Sequence, residues 1–194
     1  MKNLCVYCGA QPGHHQVYSQ VVAQVGNFMA QRNIRLIYGG AKVGLMGVLA
    51  DAVLQAGGRV TGVIPDFLLQ TEIGHNQINE LIIVRSMHER KTRMFEMADA
   101  FLALPGGIGT CEALFEILTW AQLGLHHKPI GLLNVNNYFD KLLEFFDTIA
   151  KEGLCKPECR RLLLHDNNIE ALYEKMLTYT PITVQKLMKD RSRT

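Results

Sequence analysis

The chain has no apolar run near the ~18 residues a membrane-spanning helix needs, and Met1-Lys2-Asn3 leads straight into a short apolar segment without a signal-peptide core. A soluble, cytoplasmic protein without a membrane partner is expected. Charge of one sign is also scarce. A net charge of +2 sets up no field that argues for nucleic acid or an anionic membrane surface, and the basic stretch Lys186 to Arg193 reads as part of a loose, solvated tail over 181–194. Cysteines number five, an odd count that suits a reducing compartment better than a disulfide framework. Cys5 and Cys8 have Cys-x-x-Cys spacing but fall on an expected strand, where residues three apart face opposite sides, so a redox motif is not expected. Cys155 and Cys159 could join them around zinc only in principle, and idle thiols are the simpler reading; no metal site is expected. Two phosphate-binding signatures are missing as well. No Gly-Lys-Ser/Thr follows a glycine loop, and the glycine spacing departs from Gly-x-Gly-x-x-Gly, which argues against a P-loop and against a dinucleotide-dependent oxidoreductase.

What is present is alternation. With 194 residues, 48% of them hydrophobic, the chain can fill one core and is short for two. Apolar strands are expected at Leu4–Cys8, Arg35–Tyr38, Val60–Ile64, Leu81–Val84, Ala100–Leu104 and Pro129–Asn134. Helices are expected near Val17–Gln31, Leu45–Ala56, Met87–Met97, Cys111–Leu123, Tyr138–Glu152 and Asn168–Leu177. Near-continuous apolar strands between amphipathic helices imply an α/β fold: a doubly wound, Rossmann-like parallel sheet with helices on both faces, in one domain over 1–180.

Two junctions stand out. Ala100-Phe101-Leu102-Ala103-Leu104 runs into Pro105-Gly106-Gly107-Ile108-Gly109-Thr110, with Thr110 expected as the N-cap of the helix carrying Leu114, Ile117, Leu118 and Ala121. Leu36-Ile37-Tyr38 runs into Gly39-Gly40-Ala41-Lys42-Val43-Gly44-Leu45-Met46-Gly47. Glycines admit close approach of backbone to ligand, and a helix's first turn offers unpaired N–H groups and a positive dipole end, which together suit a phosphate. In a parallel sheet both junctions fall on the carboxyl edge, where ligands of open α/β folds bind. Between them, Ser86-Met87-His88-Glu89-Arg90-Lys91 opens another helix. Its adjacent cations could clamp a phosphate or carboxylate, or could be a charged helix face with i,i+4 pairs. His14-His15 and His126-His127 read as solvated loop residues, His88 as a possible orienting group, and Trp120 and Met46 as core or pocket wall.

These segments, with Val6-Tyr7-Cys8-Gly9, Thr119-Trp120-Ala121-Gln122-Leu123-Gly124 and Lys128-Pro129-Ile130-Gly131-Leu132-Leu133-Asn134-Val135, occur in an order that resembles the Lonely Guy (LOG) family of cytokinin-activating phosphoribohydrolases, older members of which were labelled lysine decarboxylases. The resemblance extends to about Gly153. It implies a Rossmann-like homodimer with no metal and no redox cofactor. The implied reaction is hydrolysis of the N-glycosidic bond of AMP or an N6-prenylated AMP, releasing an adenine-type base and ribose 5-phosphate. It further implies Arg90 as the catalytic arginine, Arg90 and Lys91 in the nucleotide site, Gly40, Gly106, Gly107, Ile108, Gly109, Thr110 and Glu112 around the substrate, and Glu72 and Thr119 as further contacts. A decarboxylase finds no support, since nothing resembles a pyridoxal-lysine site.

One departure is plain. The family pattern is Pro-Gly-Gly-x-Gly-Thr-x-x-Glu, whose final glutamate is the expected catalytic carboxylate; here that position is Ala113, beside Glu112. With Thr110 as N-cap, position 113 would also be where a capping box places Glu or Gln, a loss of only ~1 kcal/mol. A missing acid/base group costs roughly 10²–10⁴ in rate. Three explanations stay open: a substitution introduced in an otherwise active protein to trap a nucleotide, a natural member that binds without cleaving well, or a takeover by Glu112 or Glu116. Alanine is what deliberate removal leaves, which favours the first. A helix turns ~100° per residue, so either takeover is awkward. A non-hydrolysing AMP-binding or carrier protein is the alternative to an impaired enzyme.

Overall fold

The computed structural model describes residues 1–69 and 74–182. Seven strands, β1 (Asn3–Tyr7), β2 (Arg35–Tyr38), β3 (Val60–Pro65), β4 (Glu80–Val84), β5 (Ala100–Ala103), β6 (Ile130–Leu133) and β7 (Leu163–Asp166), pair in the order β4-β3-β2-β1-β5-β6-β7. Every pairing is parallel, with Leu4 opposite Leu36 on one side and opposite Ala100 on the other. The helices are α1 (Gln16–Gln31), α2 (Gly44–Gln55), α3 (Met87–Met97), α4 (Ile108–Gln122), α5 (Asp140–Lys151), α6 (Pro157–Arg160) and α7 (Ile169–Leu177). The chain builds outward from β1 to β4, then returns to lay β5 on the other flank of β1. That reversal is the switch point of a doubly wound fold.

Strand alternation sorts the core into two layers. Leu4, Val6, Leu36, Tyr38, Leu102 and Leu104 face α1, α2 and α7; Cys5, Ile37, Val63, Phe101, Ala103 and Leu132 face α3, α4 and α5. Cys5 and Cys8 fall in opposite layers, and burial pushes each thiol up to about 12, leaving both protonated and inert at neutral pH. Helix α1 buries Val22, Val25, Phe28 and Met29, the stripe its periodicity predicts, and crosses α2 closely: a Cβ at Gly26 would press on Ala52 and the Leu49 carbonyl.

Three expectations need correction. Helix α4 starts at Ile108 with Gly107 as its N-cap, so Thr110 is the third residue inside the helix and Ala113 lies beyond the capping-box position. Gly107 takes an extended conformation that turns the chain three residues earlier than a side-chain cap would have signalled. Strand β7 and the short α6 were not expected; the leucine run 162–164 between Arg161 and His165 is too brief to declare a period. His126 is buried rather than solvated. Its Nδ1 accepts from the Lys128 N–H at 3.1 Å, so its Nε2 donates to the Ile117 carbonyl at 2.9 Å, and burial lowers its pKa. The tail from 183 onward lies outside the described residues, although Ile182 still packs against the second core layer. Among the described residues no helix is long and apolar enough to cross a membrane.

Candidate functional site

At the carboxyl ends of β1, β2 and β5 the surface opens into a cavity of about 510 Å³, within the ~300–1,000 Å³ usual for small-molecule sites. Strands in a sheet lie ~4.8 Å apart, so the ends of β2 and β5, flanking β1, stand ~10 Å from each other. Both glycine junctions therefore reach one crevice. Gly39 lines it from one side and Pro105 to Thr110 from the other.

The loop after β5 is packed too tightly for a side chain at its first glycine. A Cβ at Gly106 would collide with the Thr110 hydroxyl and press on the amide of Gly9 at 2.8 Å. The Gly9 N–H in turn donates to the Pro105 carbonyl at 3.0 Å, tying the β1 and β5 loops together. A Cβ at Gly107 or Gly109 would meet nothing within 4 Å, so these two expose bare backbone. The N–H groups of Thr110 and Cys111 both turn back to the Gly107 carbonyl, at 3.1 and 3.2 Å, which leaves those of Ile108 and Gly109 to emerge at the cavity wall. The start of α2 joins the same wall through Leu45 and Met46, with the Leu45 N–H donating to the Gly9 carbonyl at 3.0 Å.

Helix α3 supplies the cations. Its first turn is fixed by Ser86, whose Oγ accepts from the Glu89 N–H at 3.1 Å, and by the Glu89 carboxylate, which accepts from the Arg85 N–H at 2.8 Å. One turn on, the Arg90 guanidinium lies across the sheet's edge. Its Nε donates to the Val63 carbonyl at 3.0 Å and its Nη2 to the Gly39 carbonyl at 2.7 Å, while Nη1 lies 3.7 Å from Met87 Sδ. Gly39 must be glycine for this, because a Cβ there would collide with the guanidinium. Lys91 bridges two carboxylates of α4, Glu112 at 2.6 Å and Glu116 at 2.9 Å. Burial works to lower its pKa, but the hydrogen bonds and charges of the two glutamates outweigh it and the net shift is upward, so Lys91 is a fixed cation.

Arg90, Lys91, Gly106, Gly107, Ile108, Gly109, Thr110, Glu112 and Ala113 all line the cavity. Ala113 is 8% exposed and on the cavity face, where a longer side chain would enter the space. Gly40 and Thr119 do not line it. Gly40 shapes the bend from behind at φ 77°, with its carbonyl accepting from the His75 N–H at 2.9 Å. Thr119 is exposed, and its hydroxyl donates to the Phe115 carbonyl at 2.7 Å. Glu72 lies outside the described residues. His88 is exposed and does not line the cavity. Sequence reasoning missed a third glycine bend, Gly9 to Gly13 after β1, together with Tyr18, Met87 and Tyr138 on the wall. The bend had a signal: it too is an apolar strand running through glycines into a helix. The aromatic residues had none, since they come from distant segments.

The fold and cavity make this a doubly wound α/β protein with a cavity of small-molecule size at its switch point. A family model described as "Possible lysine decarboxylase" matches residues 46–176. The chain is 46% identical over 180 residues to the cytokinin riboside 5'-monophosphate phosphoribohydrolase LOG7 of Arabidopsis thaliana, covering 93% of this chain and 83% of that protein. It is 42% identical over 190 residues to the LOG5 enzyme of the same plant, covering 98% and 83%. Among solved structures, the molybdenum cofactor binding protein of Rippkaea orientalis has the same fold, with a TM-score of 0.68 at 18% identity over 92% of this chain and 99% of that one. The chain belongs to the LOG family, the family of these phosphoribohydrolases.

Proposed function

We propose that the cavity binds a nucleoside 5'-monophosphate, AMP or an N6-prenylated AMP, and that the reaction it serves is hydrolysis of the N-glycosidic bond, impaired in this chain by Ala113. The observation that carries this reading is the convergence of the α4 first turn, the bare Gly107 and Gly109, and two fixed cations on one cavity. The phosphate sits at the first N–H groups of α4. That places the sugar toward positions 112 and 113, and the base toward Arg90 and the apolar wall of Met46, Met87 and Met94. In the reaction a water oxygen bonds to the anomeric carbon, the bond from that carbon to the base nitrogen breaks, and the base takes a proton. A carboxylate at 113 would stabilise the positive charge developing on the ribose and accept the water's proton. Arg90 would face the negative charge developing on the departing base. Held by two backbone carbonyls, it needs no reorganisation to do so.

Incubation with AMP and with N6-isopentenyl-AMP, followed by chromatography of the free base, tests the assignment. Slow release that quickens in Ala113→Glu supports it. Binding with no release from either form favours a carrier that holds AMP without cleaving it.

A cytoplasmic homodimer completes the proposal. Ile108 at the cavity mouth is 89% exposed, and Leu123 and Leu125 just past the far end of α4 are exposed as well, apolar groups that a second copy would cover. Sedimentation equilibrium at micromolar concentration should give twice the 21.8 kDa chain mass. A single-chain mass at those concentrations would contradict the dimer.

A further inference from the structure

The Gly106–Gly107 peptide of the cavity wall is flanked by two glycines. Flipping a peptide plane rotates ψ of one residue and φ of the next, and with glycine on both sides neither rotation meets a Cβ. A planar trans peptide carries its carbonyl and its N–H on opposite sides. This peptide helps hold an anion only when the Gly107 N–H faces it and the Gly106 oxygen is turned away; the flipped peptide would present an oxygen to a phosphate.

Among the described residues, a single side chain holds that oxygen. The Tyr138 hydroxyl donates to the Gly106 carbonyl at 2.7 Å. Tyr138 is itself held in place from several directions. Asn136 and Asn137 before it both adopt left-handed backbone, with φ of 51° and 58°, a conformation asparagine tolerates better than most residues. The Asn134 side chain accepts from the Phe139 N–H at 2.8 Å and donates to Asp140 at 2.7 Å, closing the turn. The Tyr138 ring stands edge-on to Tyr18 at 5.8 Å and to Phe139 at 4.9 Å. Burial raises the pKa of the hydroxyl above its ordinary value, so it remains a donor through neutral and mildly alkaline pH.

We propose that Tyr138 is a positioning residue: its hydroxyl locks the Gly106–Gly107 peptide with the Gly107 N–H toward the nucleotide's phosphate. This rests on the reading of the α4 turn as the phosphate site. Its energetic signature is selective. Loss of the hydroxyl weakens ligands that carry a phosphate and spares those that do not, whereas loss of ring packing would disturb both.

The test is Tyr138→Phe, which keeps the ring contacts, with calorimetric affinities for AMP, ribose 5-phosphate and adenosine. AMP and ribose 5-phosphate should weaken roughly five- to tenfold, the loss of one hydrogen bond's worth of positioning, while adenosine changes by less than about twofold. An equal change for AMP and adenosine, or no change in any ligand, overturns the proposal. If the unsubstituted protein binds AMP no more tightly than adenosine, the phosphate reading itself falls, a result distinct from a flat Tyr138→Phe response. A second measurement needs no variant. The Gly107 amide resonance should shift when ribose 5-phosphate is titrated into the unsubstituted chain, and a stationary resonance at saturation overturns the proposal.

Discussion

Ala113→Glu raises the rate of base release from AMP or N6-isopentenyl-AMP by at least about tenfold, and by up to the 10²–10⁴ that a positioned acid/base group supplies. Ala113 is buried on the cavity face, so a carboxylate there would stand inside the crevice, with a cation in the same lining at Arg90. Neither neighbouring glutamate fills that role. Glu112 lines the cavity, but its carboxylate is held by Lys91 at 2.6 Å. Glu116 is bound to the same ammonium at 2.9 Å and lies outside the lining. Ribose 5-phosphate release, measured side by side for the two forms at saturating nucleotide, is the readout. Identical rates would mean that position 113 carries no chemistry here and that Glu112 acts from its ion pair or nothing does.

The second large effect is a loss. Gly39→Ala, made in the Ala113→Glu form so that turnover is measurable, lowers kcat/KM by roughly 10²-fold, the scale expected when a catalytic group is displaced by about 1 Å. The added methyl meets no ligand. It takes the space of the Arg90 guanidinium, which would have to leave the Gly39 carbonyl and swing away from the sheet edge. Arg90→Ala should cost at least as much. The double variant should be no worse than Arg90→Ala alone, because the two substitutions remove one and the same positioned cation. Additive losses would show that Gly39 matters for another reason. A Gly39→Ala enzyme of undiminished kcat/KM would remove Arg90's seating from the account.

Much of this was legible in the residues themselves. Apolar strands and helical stripes are strong periodic signals in long elements, and they predict β1 to β6 and the two-layer core without help. The carboxyl-edge location follows once the strands are parallel, so the meeting of Gly39 with Gly106–Thr110 was deducible in kind. Local geometry was not. Thr110 looks like an N-cap because hydroxyl residues usually are; that Gly107 starts the helix instead depends on its extended backbone and on Thr110 packing over Gly106, contacts made across the loop. The search for a capping box at Thr110 and Ala113 also passed over Ser86 and Glu89, where a related arrangement fixes the first turn of α3. Arg90 and Lys91 are adjacent in sequence yet do different things: one lies on backbone carbonyls of two strands, the other is spent on two α4 carboxylates. No spacing rule separates them. Tyr138 was legible only as the expected start of a helix that in fact begins at Asp140; its contact was not, because its partner, Gly106, lies 32 residues away.

A crystal structure of this chain with AMP is the most direct test, and the alanine at 113 suits it, since the nucleotide should persist uncleaved. The account predicts the phosphate oxygens within ~2.7–3.1 Å of the backbone N–H groups at the start of α4, with the ribose above Ala113 and the base toward Arg90. A nucleotide bound elsewhere on the sheet, or a titration in which AMP fails to associate at millimolar concentration, would contradict it.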